Sequence, residues 1–223
     1  MNMLRLEYDI QHHVVLSRKN SKDHALIRMI VSTLSTPEEL SNLNKKDFKK
    51  VKGRKLEFYT VKLNSSGKSR ISPVDEKTYN LIMSLEDNKP FEYSRDEINS
   101  IVSKYSPTDR KYCANDLRSA MLRFLRDASL FEVDIEDLQD YETLYAFMMD
   151  FNPLYSGIWE LEDDEIAEDF ILNYATLNKI EDAGIIAEEL GESEERVKKI
   201  LESGKKGLLS LPIDKLGTGR RRN

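Results

Sequence analysis

The stretch that most constrains the fold is residues 113–126, Cys-Ala-Asn-Asp-Leu-Arg-Ser-Ala-Met-Leu-Arg-Phe-Leu-Arg. Leu117, Met121, Leu122 and Leu125 recur at helical spacing, so this segment must bury one face as an amphipathic helix. Arg118, Arg123 and Arg126 project from other faces. The residues upstream read as a scaffold that brings a basic hairpin towards Arg118, and those downstream are acidic. Net charge is −6 over 223 residues, but the balance is +6 over residues 1–120 and −12 over residues 121–223. Such an asymmetry permits a basic binding surface on the first half, and a mixed, solvated surface produces it equally well.

Other function classes are narrowed by what the chain lacks. No apolar run approaches the roughly 20 residues of a membrane span, and the start of the chain has no apolar signal core. One cysteine, Cys113, rules out an internal disulfide framework and points to a reducing compartment. The expectation is a soluble cytoplasmic protein with no membrane partner. His12 and His13 are adjacent and diverge by about 100° on a helix, with no Cys or carboxylate cluster around them. They read as surface or half-buried residues, and neither a metal nor a cofactor is expected.

Residues 1–20 fit a strand or a helix. A helix is expected over 22–34, with Ala25, Leu26, Met29, Ile30 and Leu34 on its apolar side. Thr36 or Ser35 caps the next one, where Pro37 fits the first turn and Glu38 and Glu39 favour the positive end. Residues 45–55 carry Lys45, Lys46, Lys49, Lys50, Lys52, Arg54 and Lys55, and read as a charged loop edge. A β-hairpin follows, with strands at 56–63 and 70–74 around a Ser-Ser-Gly turn that places Lys62, Lys68 and Arg70 at or near its tip. Pro73 makes the second strand short or an edge. Helices are expected at 75–85, and at 95–105 after a Ser94–Glu97 capping box; Phe91 and Tyr93 between them look extended.

The order helix, Thr-x-Glu-Glu-Leu, hairpin with Gly-Lys-x-Arg, Pro-Val, two helices and Asn-Asp-Leu-Arg resembles the catalytic domain of tyrosine recombinases, the phage-integrase family, over roughly residues 22–150. The resemblance implies a DNA-facing surface. In that family two arginines, a hairpin lysine and two histidine or tryptophan positions neutralise the scissile phosphate while a tyrosine attacks it. Residues 33–40 resemble its Thr-Gly-Leu-Arg-x-x-Glu-Leu, with Thr36 where the first arginine belongs. Lys68 matches the hairpin lysine, and Asn115-Asp-Leu-Arg118 keeps the second arginine but carries asparagine for histidine. The later histidine/tryptophan position falls on Tyr141. The nucleophile slot falls near Asp150, flanked at other spacings by Tyr145 and Tyr155. With Lys68 and Arg118 kept and the rest substituted, the resemblance implies a DNA-binding relative that does not cut.

Residues 152–157 look like a linker, and residues 160–169 like an amphipathic acidic helix. Residues 183–201 resemble a helix-turn-helix, with Gly191 at the turn and Ser193 capping the second helix. Its early residues Glu194 and Glu195 repel phosphates, while Arg196, Lys198 and Lys199 attract them. The expected architecture is therefore α+β and mainly α. It comprises an integrase-like domain at 1–151, an acidic helical region at 158–203 and a flexible basic tail at 204–223. Expected DNA contacts are Lys45, Lys46, Lys49, Lys50, Lys52, Arg54, Lys62, Lys68, Arg70, Arg118, Arg196, Lys198 and Lys199. The alternatives are an active recombinase using a displaced tyrosine, and an interaction module that ignores DNA and binds a protein partner, or itself, through the acidic half.

Overall fold

The computed structural model describes residues 3–129, 138, 140–160 and 165–206, with residues 205 and 206 by backbone alone. Its elements in order are α1 (Met3–Ser17), α2 (Ser21–Thr33), α3 (Pro37–Ser41), β1 (Phe48–Lys52), β2 (Glu57–Ser65), β3 (Lys68–Val74), α4 (Glu76–Ser84), α5 (Arg95–Lys104), α6 (Ala114–Ser129), α7 (Tyr141–Phe151), α8 (Pro153–Ser156), α9 (Glu168–Asn178), α10 (Ala183–Leu190) and α11 (Glu194–Lys206). The protein is α+β and mainly α.

Helix α2 is the hub. It packs on α1, α4, α6, α8 and β3, and every residue from Asp23 to Thr33 is buried. An amphipathic helix was expected here; the observed one is enclosed all round. That is possible because each polar side chain finds a partner, as a dry interior requires. Asp23 accepts from the Tyr105 hydroxyl at 2.7 Å, and Ser17 Oγ and His24 Nδ1 lie 2.9 Å apart. Ser32 Oγ donates to the Tyr155 hydroxyl. Arg28, fully buried, donates to Thr78 Oγ1 at 2.9 Å, to Asp75 Oδ1 at 2.8 Å and to Glu160 Oε2.

The caps follow the sequence closely. Asn20, Thr36, Asp75, Ser94 and Asp140 each accept a backbone N–H at a helix start, and Thr36–Glu39 and Ser94–Glu97 are full capping boxes. The sheet has three antiparallel strands in the order β1-β2-β3, so Pro73 lies on an edge strand as expected. Residues 48–52 form β1, a strand the charge run concealed; only Phe48 of it is buried. Asn44 and Asp47 cap the turn before it. Phe91 is fully buried but forms no strand.

Other readings are decided along the rest of the chain. α1 is a helix, and His12 and His13 within it are buried. Their Nδ1 groups face the carbonyls of Tyr105 at 3.0 Å and Asp9 at 2.7 Å. Cys113 is half-buried. Residues 152–155 are buried, and Pro153–Ser156 forms α8, so this segment is not a linker. Within 160–169, Glu160 and Ile166 pair as an antiparallel bridge and α9 begins only at Glu168; residues 161–164 lie outside the described residues. α11 runs on through Lys206, and the rest of the expected tail lies outside the described residues.

Two apolar clusters result. The larger joins α2, α6, the sheet and α8, and reaches forward to Trp159. The smaller joins α9, α10 and α11, and takes Tyr8 and Val15 from α1. Tyr8 stacks on Phe170 at 5.4 Å and His12 on Tyr174 at 5.9 Å. Helix α1 thus belongs to both cores. Gly191 takes the left-handed cap of α10 (φ 73°) and Ser193 Oγ accepts from the Arg196 amide, which makes α10 and α11 the expected helix-turn-helix-like pair.

Candidate functional site

Helix α2 ends at Leu34, whose left-handed backbone (φ 56°) turns the chain into α3. The carbonyls freed there draw two arginines from distant parts of the chain. Arg118 Nε on α6 donates to Leu34 O at 2.7 Å. Arg70 Nη2 on β3 donates to Leu34 O at 3.2 Å and Thr33 O at 3.1 Å. Arg70 also forms a two-pronged pair with Glu39, Nε to Oε1 at 2.7 Å and Nη2 to Oε2 at 3.0 Å. Burial opposes ionisation of Glu39, but Arg70 and the Thr36 amide outweigh it and hold the carboxyl below its ordinary value.

A cleft of about 540 Å³ opens beside this junction, lined by Thr36, Glu38, Ser41, Ser65, Arg95 and Asn115 among others. Ser65, which lines the cleft, pairs with Lys68 to close the β2–β3 hairpin. The two-residue turn, Ser66-Gly67, has positive φ at both positions (36° and 78°), the type I′ geometry of tight hairpins. Glu38 reaches it: its Oε1 accepts from Ser66 N at 2.7 Å and from Ser66 Oγ at 2.6 Å. The cap of α3 (Thr36), the start of α6 (Asn115 and Arg118) and the hairpin that carries Lys68 thereby adjoin one junction.

The tyrosines lie elsewhere. Tyr155 is buried, its hydroxyl donates to Ser32 O at 3.1 Å, and burial pushes its pKa well above 10. Tyr145 packs on Phe58 and Tyr155; burial and then Asp75 raise its pKa. Both line a different cleft, of about 460 Å³, with Asp75, Lys77 and Glu160. Tyr141, 44% exposed, lines a third with Arg54, Lys55 and Glu142. There Glu142 accepts the amides of Arg54 and Lys55 at 2.9 and 3.0 Å, pinning the β1–β2 turn to α7. Much of the run between Asp127 and Tyr141, on which the family spacing depends, lies outside the described residues.

The cationic residues divide. Lys46, Lys49, Lys52, Arg54, Lys62 and Lys68 are exposed. The strand register sets Lys49 and Lys62 on one face of the sheet, and Lys50, Lys52, Lys68 and Arg70 on the other. Lys50 pairs with Glu57 at 2.9 Å. Lys45 is turned inward onto the carbonyls of Met83, at 3.2 Å, and Leu85, which end α4. Arg196 is held by Glu192 at 3.0 Å, Ile166 O at 2.7 Å and Glu165 at 3.4 Å. Lys198 and Lys199 are exposed on α11, far along the chain from the cleft.

One cluster escaped the sequence reading. Arg28, Asp75 and Glu160 are joined by Lys77, whose Nζ is 3.0 Å from Glu160 Oε2. Burial opposes ionisation of Glu160, yet Arg28, Lys77 and His24 together bring its pKa down to about 2. The signal in the sequence was an arginine in the middle of an apolar helix, Leu26-Ile27-Arg28-Met29-Ile30. Among the described residues no group of three or more His, Cys, Asp or Glu side chains is placed to hold a metal ion, and no helix is long and apolar enough to cross a membrane.

No family model matches the chain. It is 54% identical over 214 residues to an uncharacterized protein of Archaeoglobus fulgidus, an alignment that covers 96% of this chain and all of that protein.

Proposed function

From the premise that the chain belongs to one family with that archaeal protein, we propose that it binds duplex DNA through the α3–hairpin–α6 cleft, as an accessory or regulatory factor that does not cut. The observation that carries this reading is the meeting of Thr36, Asn115, Arg118 and the Lys68 hairpin at one junction, where a tyrosine recombinase-like chain would receive a phosphate. Exposed Lys52 lies on the same face of the sheet as Lys68, and exposed Lys49 and Lys62 on the opposite face; such cations supply sequence-independent attraction to the backbone. The placement of the three candidate tyrosines supports the non-cutting part of this reading. A nucleophile must reach the phosphorus, and Tyr141, Tyr145 and Tyr155 line other clefts, the last with its hydroxyl spent on Ser32 O.

The test is fluorescence anisotropy on a labelled duplex. Lys68→Ala and Arg118→Ala are expected to weaken binding, and Lys68→Ala to lower the salt slope by about one. Incubation with nicked duplex is expected to give no covalent adduct on denaturing gels. An adduct abolished by Tyr141→Phe, Tyr145→Phe or Tyr155→Phe would overturn the non-cutting part. A second reading, contact with a protein through the acidic half, draws on Glu194 and Glu195, exposed in the first turn of α11 where a DNA reader would meet phosphates. It predicts that DNA affinity ignores Lys68 and Arg118.

A further inference from the structure

The Glu38 carboxylate sits on two donors of a single turn residue, Ser66 N–H at 2.7 Å and Ser66 O–H at 2.6 Å. A short backbone N–H bond beside a short hydroxyl bond, on one oxygen, is the way proteins hold a phosphate or carboxylate oxygen. Ser66 has φ 36° without being glycine, a conformation that costs energy unless its polar groups are held. Lys68 lies two residues on. Among the side chains lining the adjoining cleft, Arg95 is cationic, Thr36, Pro37, Ser41, Ser65 and Asn115 are neutral, and Glu38 is the one anion. That anion occupies the donors. The rest of the hairpin is anchored separately, by Asn42 Nδ2 donating to Asn64 O at 3.2 Å and by the Arg70–Glu39 pair, so the tip does not need Glu38 to stay in place.

We propose that the Ser66-Gly67-Lys68 turn is a phosphate-binding subsite that Glu38 fills in the free protein, so that a DNA phosphate must displace the carboxylate to bind. The inference rests on the DNA-binding reading and adds an internal competitor to it. Glu38 is exposed, so its side chain swings into water without loss of packing when it is displaced. The exchange is anion for anion on the same two donors. Lys68 favours the phosphate because it adds a charge contact, and Glu38, left nearby, limits the affinity.

The experiment compares the full-length wild type with Glu38→Gln, Ser66→Ala and the double variant, each checked for an unchanged melting temperature. Anisotropy on the same duplex at about 0.1 M salt should show Glu38→Gln binding about three- to tenfold tighter, the effect of removing one like charge near the surface. Ser66→Ala in that background should return the affinity towards wild type. If the wild type binds DNA and Glu38→Gln binds equally or more weakly, the displaced-carboxylate inference is wrong while the DNA reading stands. If no form binds DNA at low salt, the DNA reading falls, and inorganic phosphate becomes the probe. A shift of the Ser66 amide resonance in Glu38→Gln but not in wild type would then support the subsite on its own; no shift in either would sink it.

Discussion

At the scale of single residues, the strongest physical constraint is the buried charge at Arg28. It is legible in hindsight as the odd residue in an apolar run, but its partners Asp75 and Glu160 lie 47 and 132 residues away, and no local pattern links them. Arg28→Met should cost about 3–5 kcal/mol in denaturant unfolding, because it leaves Asp75 buried without its cation and Glu160 with Lys77 in place of two partners. A cost below about 1 kcal/mol would show that the network is dispensable. The three histidines make a second residue-scale expectation. Burial lowers the pKa of His12 to about 4, of His13 to about 3 and of His24 to about 4, from an ordinary 6.5; Arg28 adds to the effect at His24. Between those values the unfolded chain takes up protons that the folded one refuses. Stability from these groups is therefore complete above about pH 6.5 and drains as pH falls towards 4. Glu160, depressed to about 2, loses its share below its ordinary 4.5, in the same direction. The urea midpoint should be flat above pH 7 and correspond to a loss of more than about 2 kcal/mol by pH 4.5. A flat profile over pH 4.5–7 would contradict the burial of these rings.

At the scale of elements, the sequence was most legible where local chemistry decides. Thr36-Pro37-Glu38-Glu39 and Ser94 to Glu97 wrote their own caps, and Ser66-Gly67 its turn. It was least legible where tertiary packing overrides pattern. β1 is paired through Phe48 and Val51 against Val61 and Phe58, but three exposed lysines masked its alternation. α8 looked like a linker because Asn-Pro and Gly punctuate it; they are its cap, its first turn and its left-handed end. Of the site, Thr36, Asn115, Lys68 and Arg118 came from the resemblance, whereas the Glu38–Ser66 contact depends on the angle between α3 and the hairpin. One element carries removable strain. Lys179 ends α9 with φ 57° and is exposed, so Lys179→Gly should stabilise the fold by about 0.5–1 kcal/mol. Thermal unfolding checks it, and a lower melting temperature would argue against the left-handed cap.

At the scale of the whole molecule, α1 stitches two cores together. Tyr8 and Val15 enter the C-terminal cluster, while Leu6, Ile10 and Val14 enter the larger one. Trp159 and Glu160, beyond the expected end of the first domain, are buried against it. The C-terminal helices therefore should not melt independently. Phe170→Ala, which removes the ring stacked on Tyr8, should cost about 3–5 kcal/mol and shift one transition seen alike by far-ultraviolet circular dichroism and Trp159 fluorescence. Two separated transitions would mean that the cores fold apart. The same coupling makes the charge asymmetry a property of one body.

The most direct test of the account is the affinity of the full-length protein for a random-sequence duplex across a salt series. The account predicts a linear fall of log K with log salt, with a slope reporting several released counterions, and a slope shallower by about one in Lys68→Ala. Binding absent even at low salt, or binding with a slope that Lys68→Ala leaves unchanged, would contradict a phosphate-facing cleft at the hairpin tip.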